Sequence, residues 1–382
     1  MKDNKLQHVC HLTSVHTRFD SRIYYKECVS LARNEYQVSL VVADGKGDEH
    51  TEIKGEKTTY ISIIDVGNIV SRWKRLLFMP RKIYKTALKL KANIYHFHDP
   101  ELFFVGLRLK RKGFIVIFDS HEDFPALMKQ RDYIPKIFKR CLFFFATQTE
   151  KYISRRLSGV ISATDEIRRK FIAYGLPHTQ TIKNYSVINN IEFKSKKFEY
   201  ESPVACYVGG LTQIRGIEEI VLACEKADVP LLLAGGFDRE AFYEKLKQTS
   251  AWQNVIFFGK IPHSQTGEAV YMHATVGLCV LYPAPNHKYS IPIKMLEYMS
   301  YGLAVIASEN IEFCRQVISK EGCGLLVKPQ DVESISSALK YLKANKIIAQ
   351  QMGENGRKAV EREYNWQSQE AILLTFYDKL KY

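Results

Sequence analysis

The chain has 382 residues, of which 46% are hydrophobic and 25% are charged. This composition is close to the globular average and excludes long-range disorder and low-complexity architectures, while the length favours two domains. Lysine and arginine number 55 against 41 aspartates and glutamates, so the formal net charge is +14.

The excess positive charge lies entirely in the first half of the chain. Residues 1–190 carry 33 basic and 19 acidic side chains, whereas residues 191–382 carry 22 of each. A surplus of this kind suits an anionic surface, either lipid headgroups or nucleic acid. The two halves are therefore expected to face different partners.

Membrane-spanning and secretory segments are not expected. No stretch approaches the roughly 18 uninterrupted apolar residues of a spanning helix, and the first eight residues contain no apolar core of a signal peptide. The eight cysteines form no Cys-x-x-Cys pair, and most lie in apolar runs, which is typical of buried thiols in a reducing compartment. We therefore expect a cytoplasmic protein.

Short apolar, β-branched runs alternate with longer segments of helical period through residues 1–190. This alternation predicts a buried parallel sheet covered by helices. The predicted strands are Gln7–Ser14, Val38–Ala43, Thr59–Ile64, Ile94–His98, Phe114–Asp119 and Gly159–Ala163. The predicted helices are Ser21–Arg33, Val70–Lys91, Pro100–Lys110, Pro135–Arg156 and Thr164–Tyr174.

The same alternation restarts after the charged segment Ile191–Ser202, which we interpret as a linker. The predicted strands are Val204–Val208, Leu231–Ala234, Val255–Phe258, Val276–Leu281, Ala304–Ala307 and Gly324–Val327. The predicted helices are Gly216–Lys226, Arg239–Thr249, Pro292–Ser300, Ile311–Ser319 and Val332–Asn345. Two doubly wound domains are predicted, with ligands bound beyond the carboxyl ends of the strands.

A glycine-rich loop, Tyr207-Val-Gly-Gly-Leu-Thr-Gln-Ile-Arg-Gly-Ile-Glu218, follows one predicted strand and opens a helix. Gly209 and Gly210 allow close backbone approach, and a helix start offers free N–H groups to an anion. Arg215 adds forked donors suited to a diphosphate. An ordinary strand–helix turn with a surface arginine is the alternative.

A second motif runs from Tyr289 to Ser308 and is read as a loop, a helix opened at Pro292, a stop at Gly302 and a strand. Lys294 and Glu297 lie three residues apart and share one face of this helix. A surface ion pair is one interpretation. The helix is nearly all apolar, however, and buried charges are usually paired or functional.

These two motifs resemble those of family 4 glycosyltransferases. The segment around Glu297 is similar to that family's donor site, and the Gly-Gly-Leu-x-x-x-Arg-Gly loop is similar to its diphosphate loop. Trp366-Gln-Ser-Gln-Glu370 looks like the start of its final helix, which crosses back onto the first domain. The resemblance implies an α/β protein of the GT-B fold, with two Rossmann-like doubly wound domains and an interdomain cleft.

The resemblance also implies a division of labour between the domains. Residues 1–190, with the returning helix 366–382, would form the acceptor-binding domain, and residues 203–365 would bind the nucleotide sugar. Glu297 would accept hydrogen bonds from the ribose, and Arg215 would neutralise the leaving diphosphate with help from Lys294. The implied catalytic residues are His121, Arg215 and Glu297. The implied donor-binding residues are Gly209, Gly210, Arg215, Gly259, Tyr289, Ser290, Ile291, Lys294 and Glu297.

Two positions depart from the family's pattern. The family has a pair of glutamates eight positions apart, and the first of them would fall at Tyr289. That glutamate typically contacts the transferred sugar, so the sugar is left open. The basic residue that often follows the first glycine of the loop is replaced by Gly210.

Histidines and carboxylates end two strands of the first half. His96, His98 and Asp99, or Asp119, His121 and Asp123, have the composition of a metal site. Strand alternation places His96 and His98 on one face, and satisfied histidines are common at strand ends, so we expect no metal and no cofactor.

The resemblance matches His121 to a histidine beside the transferred sugar; a core histidine bonded to a backbone carbonyl is the alternative. The acceptor-side candidates are His16, Arg18, His98 and Asp99. Many relatives carry paired glycines in the N-terminal loop, whereas this chain has none, and Asp20 is expected to cap the following helix. His16, Arg18 and Arg22 would meet an acceptor phosphate, or else belong to a structural turn with solvated charges.

The segment 71–91 carries eight basic residues, no acidic residue and several large apolar side chains, including Leu76, Leu77 and Phe78. Such a segment suits an anionic membrane surface, and the segment 136–145 would add to it. A solvated helix is the alternative. The charge asymmetry favours attachment to the inner face of the cytoplasmic membrane.

The sequence therefore predicts a retaining glycosyltransferase. It would move a sugar from a nucleotide diphosphate sugar to a hydroxyl of a glycan or lipid-linked acceptor in the synthesis of lipopolysaccharide O-antigen, capsule or exopolysaccharide. A nucleotide-sugar 2-epimerase of the GT-B fold is the nearest alternative. A basic nucleic-acid-binding protein and a non-catalytic binding module are further alternatives, but no nucleic-acid recognition module is present and no specific nucleic acid is expected.

Overall fold

The computed structural model describes residues 7–54, 58–69, 71–126, 136–187, 203–262, 265–284 and 287–380. The predicted linker 191–202 lies outside these ranges. The backbone of two helices is described without the side chains of residues 72–73 and 136–138.

The chain divides into two compact units. Unit 1 comprises residues 1–184 and 369–382, and unit 2 comprises residues 185–368. The last helix begins at Trp366, and its residues from Gln369 onward belong to unit 1.

Unit 1 is built on an eight-stranded sheet with the order β3-β4-β2-β1-β5-β6-β7-β8. Neighbouring strands are parallel except β3, which is antiparallel to β4. The strands are β1 (His8–Leu12), β2 (Gln37–Val42), β3 (Glu49–Ile53), β4 (Thr59–Asp65), β5 (Ile94–Phe97), β6 (Ile115–Ser120), β7 (Gly159–Ser162) and β8 (Thr179–Thr181).

The helices of unit 1 connect these strands and cover the sheet. They are α1 (Val29–Arg33), which continues a π-helical turn (Ile23–Cys28), α2 (Arg72–Leu90), α3 (Phe103–Arg111), which follows a 3₁₀ turn (Pro100–Leu102), α4 (Lys136–Ser154) and α5 (Asp165–Ala173). Asp20 accepts hydrogen bonds from the N–H groups of Arg22 and Ile23, at 2.8 and 3.0 Å. The expected capping role of Asp20 is therefore confirmed.

Unit 2 is built on a six-stranded parallel sheet with the order β11-β10-β9-β12-β13-β14. Its strands are β9 (Ala205–Val208), β10 (Leu231–Ala234), β11 (Val255–Gly259), β12 (Val276–Cys279), β13 (Ala304–Ser308) and β14 (Gly324–Val327). Alternate residues of β9 and β10 enter two separate apolar clusters. Both faces of the sheet are therefore buried, as the continuous apolar strands predict.

The helices of unit 2 are α6 (Ile217–Ala227), which follows a 3₁₀ turn (Gln213–Arg215), α7 (Glu240–Lys247), α8 (Thr266–Ala269), α9 (Ile293–Ser300), α10 (Glu312–Glu321), α11 (Val332–Ala344) and α12 (Lys346–Arg362). Helix α13 (Trp366–Lys379) starts here and continues into unit 1.

The strand order in each sheet reverses direction at one place. In unit 1 this switch lies between β1 and β5, and in unit 2 it lies between β9 and β12. Loops that leave neighbouring strands at such a switch run in opposite directions and leave a crevice at the carboxyl edge. The fold therefore places one candidate site in each unit.

Among the strands and α-helices of the described ranges, four lie outside the predicted set: β3, β8, α8 and α12. Strand β3 (Glu49–Ile53) is a half-exposed edge strand with charged residues, so it lacks the apolar run of a buried strand. Helix α12 contains Gly353 and Gly356, which weaken a helical pattern. Gly353 is nevertheless needed, because a Cβ there would lie 2.0 Å from the carbonyl oxygen of Gly302.

These two glycines provide a matched test of how α12 packs within unit 2, against the segment around Gly302. Gly353→Ala is expected to lower the free energy of unfolding by about 1–3 kcal/mol, because the backbone at Gly302 would have to shift. In Gly356→Ala the nearest atom is the Cγ of Met299, 3.2 Å from the new Cβ, and this flexible side chain can move. That control is expected to be neutral or stabilising by up to about 1 kcal/mol. Urea unfolding measures both, and equal losses would contradict the packing.

Candidate functional site

Glycine is required at two neighbouring positions, one in the loop after β9 and one in the loop after β10. Gly209 has a φ of +137°, which disfavours any residue with a side chain. Gly235, which follows β10, has a φ of +147°, and a Cβ there would lie 1.8 Å from the carbonyl oxygen of Gly209. The Tyr207 hydroxyl donates a hydrogen bond to the carbonyl of Gly210 at 3.1 Å. The backbone at Gly209 and Gly210 therefore carries no side chain of its own, so other groups can approach it closely.

Two cationic side chains converge on this open backbone. A Cβ built on Gly209 would lie 3.3 Å from Nζ of Lys294 and 3.4 Å from Nη1 of Arg215. Lys294 Nζ also lies 3.7 Å from the centroid of the Tyr207 ring, a cation–π contact. Arg215 lies in the 3₁₀ turn that precedes α6, and Lys294 lies in the first turn of α9. The structure thus brings together Gly209, Gly210, Arg215 and Lys294 of the sequence-predicted donor residues.

The ammonium of Lys294 is buried and makes no hydrogen bond. Across the described ranges, no carboxylate lies within 4.0 Å of Lys294 or of Arg215. A buried cation without a counter-ion is costly. The crevice is therefore suited to an anion that would pair with both cations, and the first turn of α9 adds backbone N–H donors.

Glu297 lies one turn after Lys294 on α9. Its Oε2 accepts a hydrogen bond from the hydroxyl of Tyr271 at 2.8 Å. Burial raises the pKa of Tyr271, and the negative charge of Glu297 raises it further, so this hydroxyl remains a donor. Glu297 itself is only partly buried. Tyr271 therefore fixes one oxygen of the Glu297 carboxylate.

The other donor candidates lie at the margins of this cluster. Tyr289 is exposed, with its ring 5.1 Å from Nζ of Lys288, and Ser290 donates a hydrogen bond to the carbonyl of His287 at 2.9 Å. Ile291 is half-buried just before α9. Gly259 ends the edge strand β11, two strands away from β9.

In unit 1, residues from three elements meet at the carboxyl edge around Asp119. Arg22 binds both oxygens of Asp119 through Nε and Nη2, each at 2.9 Å. His121 Nε2 lies 2.8 Å from Oδ2 of the same carboxylate. Burial alone would raise the pKa of Asp119, but Arg22 and His121 outweigh it and hold the pKa well below its usual range. Asp119 is therefore an anion that orients the His121 ring.

The acceptor-side candidates differ in accessibility. The side chain of His16 is 30% exposed and that of His121 is 20% exposed, and their ring centroids lie 5.3 Å apart. His98 and Asp99 are buried, and Asp99 Oδ2 accepts hydrogen bonds from the Thr13 hydroxyl and from the backbone and hydroxyl of Ser14. His16 and His121 are thus placed to touch a ligand, whereas Asp99 holds the N-terminal loop.

Arg18 is not placed to meet a phosphate. Its Nε and Nη2 donate to Asp44 at 2.8 and 2.7 Å, and its Nη1 donates to Glu49 at 2.7 Å. Only 5% of its side chain is exposed. The guanidinium is occupied, so the structure favours the structural alternative for Arg18, with a buried ion-pair network in place of solvated charges. Arg22, bound to Asp119, is buried in the same way.

Sequence reasoning missed three contributors. Tyr271 comes from a short 3₁₀ turn with no motif, and Glu27 and His11 are buried in unit 1 close to His96 and His98. A charged residue at position 27, next to Cys28 and Val29 in a helical segment, was an available signal, because buried charges usually have a role.

Two family models match the two halves of the chain. Residues 8–189 match Glycosyltransferase Family 4, and residues 189–359 match Glycosyl transferases group 1. Two Rossmann-like units, with polar side chains at the switch point of each sheet, define the GT-B class of α/β proteins. Together the two models cover residues 8–359, and the chain belongs to the family 4 glycosyltransferases of this class.

Curated relatives are distant. The chain is 23% identical over 155 residues to the O-antigen chain mannosyltransferase C of Escherichia coli, covering 41% of each chain. It is 21% identical over 259 residues to the capsular polysaccharide biosynthesis glycosyltransferase CapM of Staphylococcus aureus, covering 61% of this chain and 66% of that relative. The alignments therefore span less than two thirds of the length of these relatives.

Among solved structures, the fold is similar to that of Anabaena HepE in complex with UDP and glucose. The TM-score is 0.66 at 12% identity, over 98% of this chain and all of that one. At this identity the likeness shows the fold alone. Within the part of the chain that the structure describes, none of the helices combines the length and hydropathy needed to span a bilayer.

The unpaired ammonium of Lys294 has a measurable consequence. Lys294→Met is expected to leave the free energy of unfolding unchanged or to raise it by up to about 2 kcal/mol, because it removes a buried charge that has no carboxylate partner among the described residues. The same variant is expected to bind inorganic pyrophosphate at least about tenfold more weakly, since one of the two cations is lost.

Urea unfolding and titration calorimetry measure these two effects. The control is Lys226→Met, which removes an exposed lysine paired with Glu333 and should change pyrophosphate binding little. A marked loss of stability in Lys294→Met, with pyrophosphate affinity intact, would contradict the site.

Proposed function

We propose that the protein is a retaining glycosyltransferase that moves a sugar from a nucleotide diphosphate sugar to a hydroxyl of a glycan or lipid-linked acceptor in surface-polysaccharide synthesis. The observation that carries this proposal is the pair of cations, Arg215 and Lys294, that meet at the bare backbone of Gly209 without a counter-ion. The names of the two curated relatives support the polysaccharide class.

The cations act on the leaving group. When the bond between the anomeric carbon and the diphosphate oxygen breaks, negative charge accumulates on the diphosphate and positive character on the sugar. Arg215, Lys294 and the first N–H groups of α9 stabilise that negative charge in a crevice arranged beforehand. Because they gain most as the charge develops, they lower the barrier as well as binding the donor.

Glu297 binds the nucleoside. A carboxylate fixed by the Tyr271 hydroxyl accepts hydrogen bonds from the two ribose hydroxyls while its exposed side faces the ligand. The structure of HepE was solved with UDP, which makes a uridine donor the first to test.

The acceptor is bound by unit 1. His16 and His121 are the partly exposed side chains at the switch of its sheet, and the Asp119 anion keeps His121 in one orientation. In this proposal the His121 ring contacts the transferred sugar. Position 289 is a tyrosine, so no carboxylate acts there, and the acceptor hydroxyl attacks from the face that the diphosphate leaves.

A panel of UDP-, GDP- and ADP-sugars in a thermal-shift experiment tests donor binding, because only a donor bound to the folded state raises the melting temperature. Product analysis with and without an acceptor glycan tests the reaction. Release of an epimerised nucleotide sugar without acceptor would replace transfer with epimerisation, and failure of every donor to bind would contradict the proposal.

Glu297→Gln tests the nucleoside contact. We expect nucleotide binding to weaken by about 10–100-fold, since hydrogen bonds to a charged acceptor contribute roughly 1.5–3 kcal/mol, and transfer to fall at least as much. The control is Glu321→Gln, another carboxylate of unit 2 that contacts a tyrosine hydroxyl, that of Tyr364 at 3.4 Å. Equal binding by Glu297→Gln and the unchanged protein would contradict the assignment.

We further propose that unit 1 attaches to an anionic membrane surface, where a lipid-linked acceptor would lie. Helix α3 packs against both α2 and α4, and all three expose large apolar side chains. These side chains are Leu77, Phe78, Phe104, Leu142, Phe144 and Phe145. Exposed apolar residues beside a basic helix are typical of proteins that lie on a membrane.

Charge reversal of α2 tests this attachment. Lys82, Lys85 and Lys89 are exposed, and replacing them with Glu is expected to weaken binding to anionic vesicles at least about tenfold, at up to ~1 kcal/mol per basic residue. The matched control reverses three exposed lysines of unit 2, Lys340, Lys346 and Lys358. Vesicle sedimentation measures both, and equal effects of the two triple variants would contradict a membrane face on unit 1.

A further inference from the structure

A closed cluster of three histidines and one glutamate lies inside unit 1, beneath the acceptor-side candidates. His11 lies in β1 and His96 lies in β5. His98 is the first residue after β5, and Glu27 lies in the π-helical turn before α1. His11, Glu27 and His96 have no solvent exposure and His98 has 3%. One nitrogen of each histidine and one oxygen of Glu27 all lie within 4.8 Å of one another.

Glu27 Oε2 is almost equidistant from the three rings. It lies 3.9 Å from Nδ1 of His11, 3.9 Å from Nδ1 of His96 and 4.0 Å from Nε2 of His98. These separations are too long for hydrogen bonds. Nδ1 of His11 and Nε2 of His98 lie 3.0 Å apart and share a hydrogen bond. The four ligand-type atoms therefore lie close enough together for one cation to reach all of them once that hydrogen bond is exchanged for bonds to the ion.

Glu27 has one close charged partner, Arg22, whose Nε lies 3.1 Å from Oε1. Among the residues that the structure describes, no group donates a hydrogen bond to either oxygen of Glu27. Arg22 already binds both oxygens of Asp119, so one guanidinium faces two buried carboxylates. A buried carboxylate without hydrogen bonds is costly, and this cost calls for a further positive charge at the cluster.

The surroundings of His98 resemble those of a metal-ligating histidine. Asp119 Oδ2 lies 3.4 Å from Nδ1 of His98, whereas Glu27 Oε2 lies 4.0 Å from Nε2 of the same ring. A carboxylate behind a ligating histidine is the usual second layer of a metal site.

We propose that His11, His96, His98 and Glu27 bind one divalent transition-metal ion, with Zn²⁺ as the best fit. Three imidazole nitrogens and one carboxylate oxygen form a four-coordinate set that Zn²⁺ accepts at bond lengths of about 2.0–2.2 Å. Such bonds bring ligand atoms to roughly 3.3 Å from one another, so Glu27 Oε2 moves inward by a few tenths of an ångström. Nδ1 of His96 is at hydrogen-bonding distance, 2.7 Å, from the Tyr377 hydroxyl. When the metal binds, this nitrogen exchanges that hydrogen bond for a bond to the ion.

The role of this ion is structural. Its four protein ligands leave no open position for substrate, and the site is closed to solvent. It ties β1 and the end of β5 to the turn that precedes α1, and through His98 and Asp119 it steadies His121. This inference stands on unit 1 alone and does not depend on the proposed function.

A proton is the competing occupant, because a protonated Glu27 would also remove the excess charge. The full-length protein, stripped with a chelator and reloaded with Co²⁺, distinguishes the two. We expect one equivalent of Co²⁺ to bind with the intense visible absorption of a four-coordinate ion, and Zn²⁺ to displace it. Metal analysis of the protein before stripping is expected to find about one equivalent.

Glu27→Gln tests the assignment of the ligands. We expect it to weaken Co²⁺ binding at least about 100-fold, since even second-layer partners contribute 10–100-fold. The control is Glu150→Gln, which alters another fully buried carboxylate of unit 1, one paired with Lys170 and outside the cluster. It should leave Co²⁺ affinity unchanged.

The outcomes separate cleanly. No stoichiometric Co²⁺ binding by the unchanged protein would overturn the proposal, as would a folded Glu27→Gln variant that binds Co²⁺ normally. Should Glu27→Gln fail to fold, X-ray absorption of the Zn²⁺-loaded unchanged protein decides: three imidazoles and one oxygen near 2.0–2.2 Å support the site, and any other ligand set overturns it.

Discussion

The proposed donor site in unit 2 depends on an electrostatic imbalance around one glycine. Lys294 and Arg215 reach the same stretch of backbone at Gly209, and among the described residues the buried Lys294 ammonium contacts the face of Tyr207 but no carboxylate. A folded protein tolerates such a charge only where something else offsets its cost. An anionic ligand would offset it, which is why we propose that the crevice binds a diphosphate.

Unit 1 manages its buried charge in the opposite way. Arg18 and Arg22 are each saturated by carboxylates, and Asp119 is held by Arg22 and His121. The arginines of these ion pairs are buried, whereas the side chains of His16 and His121 remain partly exposed. Glu27 differs from these carboxylates, because among the described residues neither of its oxygens accepts a hydrogen bond, although Arg22 lies 3.1 Å away. This is the observation on which the proposed metal site depends.

Buried elements were predicted best. Strands β10 and β14 begin and end where the sequence places them, because each is a short apolar run next to a glycine or proline, and such a run is too short for a helix. Strand β3 and helix α12 were missed, because their patterns are set by partners: β3 pairs at a half-exposed edge, and α12 contains Gly353 to let a backbone carbonyl approach. In the site, the motif carrying Arg215, Lys294 and Glu297 was readable, whereas Tyr271 had no signal of its own.

The amino-acid sequence by itself determined the α/β class, the two domains, the glycine loop and the charged residues of α9, since each depends on local pattern and spacing. Only the tertiary structure decided which charged side chains form ion pairs within the protein and which remain able to bind a ligand. Arg18 and Arg215 look alike in the sequence, yet the first is enclosed by Asp44 and Glu49 and the second points at open backbone. His11 and Glu27 likewise meet His96 and His98 only because β1 lies beside β5. Pairing between distant segments follows from strand order and packing, which no local pattern encodes.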